Sequence, residues 1–261
     1  MHDTKAHDFL ASAINALGSD GFAEALERWI RAELGHDNCT MLAYFDGRRP
    51  LSIAHSARTT VVHESFDQIY LAGAYLLDPF QDLHANRAKA GVYRLSDIAP
   101  DQFHRNPYYL DYYAATTILD ELVFVTYPSP DMSVHICMGR DASSNTRFNA
   151  RELAAAHRIS AVVVALANRQ WAGLAAQGDY SDTAVTDRLI AALSRAHDIH
   201  LSQRQAEVAI LVLRGHSSVS IGLRLEISPQ TVKVFRKQLY RKCAISSQAE
   251  LFHMLLPLLS E

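Results

Sequence analysis

No run of apolar residues in this 261-residue chain approaches the roughly 18 that a membrane helix needs. The opening residues, MHDTKAHDFL, lack the basic-then-apolar order of a secretory signal. Cysteine is scarce: Cys39, Cys137 and Cys243 are far apart and odd in number. That argues against a disulfide framework and for thiols in a reducing cytoplasm. There is no G-x-S-x-G, no Walker loop and no Rossmann fingerprint. The pairs His36-x-x-Cys39 and His135-x-Cys137 offer two ligands each, where a closed zinc site takes four. A Cys39 nucleophile with His36 or His55 as base is the one enzymatic arrangement available, and a buried thiol is the commoner fate of such a residue. No metal, cofactor or catalytic group is therefore expected. A further absence is local: from 227 to 249 there is no Asp or Glu.

What is present is ordinary for a globular protein, with 49% hydrophobic and 20% charged residues. The net charge of −3 hides an asymmetry. From residue 201 onward there are 8 Lys and Arg against 4 Asp and Glu, a net of +4; the first 200 residues hold 17 against 24, a net of −7. A basic module on an acidic body is the layout of a chain of which one part meets nucleic acid.

Hydrophobic periodicity predicts helices over 6–17 and 20–34, the second with Asp20 as N-cap. CTMLAYF and LSIAHSA form a hairpin with Asp46-Gly47 at the turn. Helices are predicted over 64–77 and 106–119, the latter capped by Asn106 with Pro107 in its first turn. VYRLSDI, ELVFVTY and MSVHICMG read as strands. The segment 149–174 reads as a long helix whose apolar residues fill more than one face, so packing on both sides is expected. Strands that do not alternate regularly with helices exclude a doubly wound sheet. The fold class is thus an α+β sandwich, an antiparallel sheet flanked by helices, over 1–174. A polar linker follows at 175–184, then an all-α domain over 185–261.

In the all-α part, Ser202 caps one helix, Gly215 stops it, and Ser228-Pro229 opens another after a very short turn. That is the helix-turn-helix arrangement. On a wheel of 100° per residue, Val232, Phe235, Leu239 and Cys243 form one stripe. Gln230, Lys233, Val234, Lys237 and Arg241 lie opposite, with Arg236 and Lys242 at the borders. Basic side chains sorted to one face without interspersed acids point to a polyanion.

The stretches LSQRQAEVAILVLRG, IGLRLEISPQTVKVFRKQLYRK and SSQAEL resemble the LuxR/GerE-type DNA-binding domain. The matching residues are Leu201, Arg204, Glu207, Val208, Gly215, Ile221, Leu225, Ser228, Thr231, Val232, Lys233, Lys242 and Ala249-Glu250-Leu251. The sequence departs from the family at Glu226, where a turn Gly is usual, and at Phe235, Cys243 and Gly222. The resemblance implies that the helix from Pro229 enters the major groove of double-stranded DNA. Lys233, Val234 and Lys237 would then approach bases, with Thr231, Arg236, Arg241 and Lys242 at phosphates. It further implies a homodimer on an inverted repeat; SQAELFHMLLPLL matches the element through which such domains often dimerise, and its apolar side (Leu251, Met254, Leu255, Leu258) is either core or interface.

The N-terminal part is similar to autoinducer-binding and GAF/PAS-like sensor domains of orphan LuxR-type regulators. YLAGAYLLDPF matches a tyrosine-bearing helix followed by Asp-Pro, with one residue fewer between Tyr70 and Asp78. Phe66 and Tyr93 stand near two positions where tryptophan is expected. The resemblance implies a small-molecule effector met by Tyr70, Tyr75, Asp78, Tyr93, Phe103 and Tyr108. An acyl-homoserine lactone in a quorum-sensing role, or a protein partner, are its alternatives. A phosphoacceptor receiver would need a β/α alternation that these segments lack.

Overall fold

A computed structural model describes residues 2–46, 48–71, 73–174 and 185–259. The expected linker at 175–184 and Gly47 of the expected hairpin turn lie outside them. The described residues form two compact units. One comprises 2–62, 82–98 and 117–174; the other comprises 63–81, 99–116 and 185–259. Among them, no helix is long and apolar enough to cross a membrane.

The first unit is a five-stranded antiparallel sheet in the order β2-β1-β5-β4-β3. The strands are β1 (Asn38–Phe45), β2 (Leu51–Ala57), β3 (Gly91–Arg94), β4 (Ile118–Ser129) and β5 (Met132–Asp141). β5 lies at the centre and is buried along its whole length. Helices α1 (His2–Asn15), α2 (Phe22–Leu34) and α5 (Ala150–Trp171) complete the unit, with the short α4 (Leu95–Ile98) following β3. α2 and α5 bury their apolar stripes with alternate sheet residues, among them Met41, Phe124, Val134 and Ile136. Phe22 meets Trp171 edge to face at 5.5 Å. The sequence signal for α5 is strong because Asn149 and Glu152 form a reciprocal capping box.

Three expectations are corrected here. α2 begins after Gly21, which offers no side-chain cap, so Asp20 is not the N-cap. α5 buries one stripe only, Ala155, Ala156, Ile159, Val163, Leu166, Ala167 and Trp171, and Val162 is exposed. The apolar residues of its second face are mostly alanines, whose small area tolerates water. The predicted strand VYRLSDI ends at Arg94, and α4 takes over.

The second unit begins with irregular helical turns where continuous helices were predicted. Residues 64–77 divide into Phe66–Tyr70 and Ala74–Leu77, because Gly73 at φ 172° leaves the helical region between them. Residues 106–119 divide into a π turn, Tyr108–Tyr112, and a tighter turn, Tyr113–Thr116. Tyr108, Tyr112 and Tyr113 are all buried. On an α-helix Tyr108 and Tyr113 would point about 140° apart. The π turn, closed by the Tyr113 N–H on the Tyr108 carbonyl, brings residues five apart nearly into line. The division between the two units falls within α3 (Pro79–Ala85), after Gln81. The all-α region contains α6 (Val185–His197), α7 (Gln203–Leu213), α8 (Ser218–Leu225), α9 (Pro229–Lys242) and α10 (Gln248–Leu259).

Candidate nucleic-acid interface

Local chemistry sets the ends of α7, α8 and α9. Ser202 accepts from the Gln205 N–H and Gln205 answers at the Ser202 N–H, a capping box that starts α7. Ser217 caps α8, and Ser228 caps α9 through the Thr231 N–H at 3.0 Å, with Pro229 in the first turn. The turn between α8 and α9 is tight. Glu226 sits in the left-handed region at φ 55°, ψ 42°. A Cβ on Gly222 would stand 2.7 Å from the Ile227 carbonyl oxygen. The glycine at 222, where the family usually has alanine, therefore lets α8 approach the turn closely.

α9 buries Val232 and Leu239, with Cys243 closing the stripe just beyond its last residue. Lys233, Val234, Lys237 and Arg241 point to solvent. No ion pair engages Lys233, Lys237 or Arg241 among the described residues. Thr231 is half-buried, its hydroxyl 2.8 Å from the Ser228 hydroxyl. Arg236 lies along its own helix, its guanidinium 6.0 Å from the Tyr240 ring centre. Lys242 differs from the rest: its ammonium donates to the His200 carbonyl at 2.6 Å and to Gln205 Oε1 at 2.9 Å.

The same unit holds five of the six residues predicted to meet an effector. The Tyr70 hydroxyl donates to Asp78 Oδ2 at 2.6 Å, and Asp78 Oδ1 accepts the Phe80 N–H at 2.8 Å. Asp78 is thus both the cap of α3 and the anchor of Tyr70. The Tyr70 ring stacks between Phe66 and Tyr112, with centroids at 5.3 Å and 5.9 Å. Tyr112 contacts Tyr108 at 5.6 Å, and Phe103 contacts Tyr108 at 6.1 Å. Tyr75 is buried beside them in sequence, on the Ala74–Leu77 turn. Tyr93 belongs to the first unit. It pairs with Val123 on β3, donates its hydroxyl to the Lys89 carbonyl at 2.6 Å, and borders a small cavity of about 160 Å³ together with Arg94, Asp97 and His157.

Sequence reasoning missed the seam that joins this aromatic segment to the helix-turn-helix. Arg214 donates to the Leu76 carbonyl at 2.9 Å and to Gln81 Oε1 at 3.1 Å. Asn106 Nδ2 donates to the Leu213 carbonyl at 3.2 Å, and its Oδ1 caps the Tyr109 N–H at 2.7 Å. The Gln102 N–H donates to the Gly215 carbonyl at 3.0 Å, and the Ser217 N–H to Asp101 Oδ1 at 3.1 Å. Burial alone would raise the Asp101 pKa, but the bonds from Ser217 dominate and hold it low. The only local hint of this seam was Gly215, at φ 89°.

Catalytic and metal readings find little to work with. Cys39 is buried. Burial, reinforced by the Glu27 carboxylate, pushes its thiol far above the ordinary range, so it is a poor nucleophile. His36 is sequestered against Glu27 at 3.0 Å and is held below its ordinary pKa chiefly by burial. Among the described residues, no group of three His, Cys, Asp or Glu side chains could hold a metal ion.

A capped helix presented over a tight turn, with an unpaired basic face and a buried apolar back, defines a helix-turn-helix DNA-binding regulator. Residues 200–255 match the family described as bacterial regulatory proteins, luxR family (GerE), so the C-terminal part of the chain carries a helix-turn-helix domain of this LuxR type. It is 29% identical over 187 residues to an Aeromonas salmonicida protein named as an HTH-type transcriptional regulator in the exeN 3′ region, covering 69% of this chain and 93% of that one. Among solved structures, the VqsR LBD domain from Pseudomonas aeruginosa aligns with a TM-score of 0.54 at 24% identity, over 63% of this chain and 94% of that one. This is a likeness of fold. Escherichia coli SdiA aligns with a TM-score of 0.40 at 16% identity, over 90% of this chain and 92% of that one.

Proposed function

We propose that this regulator reads an inverted repeat in double-stranded DNA as a homodimer in the cytoplasm, under control of a small molecule taken up by its N-terminal part. The observation that carries the DNA half is the exposed, acid-free face of α9. Lys233, Val234 and Lys237 are its base-reading residues. A lysine donates to guanine O6 or N7, and a valine contacts a thymine methyl. Thr231, Arg236 and Arg241 serve the phosphates, which position the helix without specifying sequence. No catalytic step belongs to this function.

Lys237→Ala is expected to weaken binding to a duplex selected by the wild-type chain from a randomised pool by about tenfold or more. Binding to a scrambled duplex changes far less. Equal loss on both duplexes, or no loss at any salt concentration, removes Lys237 from the reading face.

For the effector, the supporting feature is the Asp78 carboxylate set beside Tyr70 among Phe66, Tyr112, Tyr108 and Phe103. Aromatic walls with one carboxylate suit an apolar molecule bearing an amide or a cationic amine. Such a ligand raises the melting temperature by mass action. A thermal-shift screen of lactones, amines and amino-acid derivatives should give a hit that Asp78→Asn weakens. A blank screen moves the N-terminal part towards a protein partner.

A further inference from the structure

The basic residues of α9 do not form one class. Lys233, Lys237 and Arg241 make no ion pair among the described residues, whereas Lys242, although also exposed, is hydrogen-bonded within its own module. Its ammonium binds the His200 carbonyl and Gln205 Oε1. Gln205 is 5% exposed and acts as a hub. Its Oε1 also accepts the Ser202 N–H at 3.1 Å, and its Nε2 donates to Gln238 Oε1 at 3.0 Å. Gln238 and Lys242 are one turn apart on α9, on one border of its outward face. One buried amide on the first turn of α7 therefore holds α9 at two points along its length. The apolar stripe of Val232 and Leu239 fixes how deeply α9 sits. Apolar contacts are non-directional, so they leave rotation about the helix axis weakly defined. A pair of oriented hydrogen bonds at one border removes that freedom.

We infer that Gln205 and Lys242 are positioning residues for sequence readout: they set the rotation of α9 so that Lys233, Val234 and Lys237 face the bases, and Lys242 is not a phosphate contact. The inference rests on the DNA-binding reading above and refines it. A side chain that neutralises a phosphate contributes about 0.9 to the slope of log affinity against log salt. A side chain that only orients the helix contributes nothing to that slope but changes the ratio of specific to non-specific affinity.

The test uses the full chain, with the duplex that the wild-type protein selects from a randomised pool and a scrambled duplex of equal length. Arg241→Met is expected to lower the salt slope by about 0.9 per module. Lys242→Met should leave the slope unchanged and reduce the specific-to-scrambled ratio by about tenfold. Gln205→Ala should give the same loss, and the double variant should lose no more than either single one, because both act through one network. Gln205→Glu keeps the acceptor for Lys242 and Ser202 and should restore the ratio. A fall in slope with Lys242→Met, or full discrimination by Gln205→Ala, overturns the assignment. A variant that merely folds poorly loses affinity for both duplexes in proportion and keeps the ratio, which also counts against it. If the wild-type chain enriches no duplex, the DNA-binding reading itself fails, and that result is distinct from the others.

Discussion

Gly215→Ala is expected to destabilise the helical unit by about 2–4 kcal/mol and to lower its melting temperature by roughly 5–15 °C. Two penalties combine. Gly215 has φ 89°, which an L side chain enters at a cost of about 1–2 kcal/mol. A Cβ there would also stand 2.7 Å from Asn106 Nδ2 and 3.0 Å from the Phe103 Cα. Backbone cannot withdraw like the end of a flexible side chain, so the strain falls on the seam between the α7–α8 corner and segment 101–106. At the C-cap of α8, Glu226 occupies a left-handed position with its side chain in solvent. No close contact argues for a carboxylate there. Glu226→Gly removes the conformational cost of about 1 kcal/mol, partly offset by the greater unfolded-state freedom of glycine. The two substitutions, Ala for Gly in the corner between α7 and α8 and Gly for Glu at the C-cap of α8, should therefore move stability in opposite directions. Thermal unfolding followed by far-UV circular dichroism reads both. An unchanged midpoint for Gly215→Ala would mean that the seam is not close-packed in solution.

These two positions also mark what the sequence could disclose. A tight turn, a cap and a helix wheel are local, and residues within a few positions determine them. For that reason Ser202, Ser228, the buried stripe of α9 and its basic face were all legible. So was the left-handed demand at Glu226, because the family's turn glycine pointed to it. The sheet was legible in outline because alternation has period two, although its order β2-β1-β5-β4-β3 depends on pairings between distant segments. The seam was not legible. Asn106 meets Leu213, and Arg214 meets Gln81, across more than a hundred residues. Nothing in a hydrophobic pattern singles out a buried asparagine with a partner so far away. The Gln205 hub escaped for a similar reason. Its partners Gln238 and Lys242 lie more than thirty residues on, and a wheel drawn for α9 alone puts Lys242 at the border without saying what stands beside it. The predicted effector residues were proposed from local resemblance, and Tyr93 is the one that falls in the other unit.

The second large effect is acid lability of the first unit. His135 lies in the middle of β5 with no exposed surface, and Tyr44 packs on its ring at 4.6 Å. Its Nε2 is 3.1 Å from the Ser133 hydroxyl, which is 2.8 Å from Nδ1 of His84. His84 in turn lies 3.3 Å from Asp46. Burial pushes the His135 pKa down to about 3, and the neighbouring His84 acts in the same direction. His84 is also held below its ordinary value by burial, against the pull of Asp46. In the unfolded chain a histidine titrates near 6.5. The folded form therefore keeps His135 neutral where the unfolded form takes up a proton, and stability is complete above about pH 6.5. As pH falls from there towards 3, His135 alone removes about 1.4 kcal/mol per unit, or roughly 2 kcal/mol by pH 5. His84 and His36 add to the loss with the same sign. Urea unfolding of the wild-type chain between pH 7.5 and 4.5 should show this steep decline. His135→Gln retains a polar partner for Ser133 but cannot take up a proton, so its stability should fall less steeply by about one proton's worth of slope. Equal slopes for the two proteins would place the acid sensitivity elsewhere. A unit that buries a neutral imidazole in its central strand and a second one on α3 beside it is thus built for neutral pH, and acid should loosen it before the α9 face, which is rich in lysine and arginine, has changed charge at all.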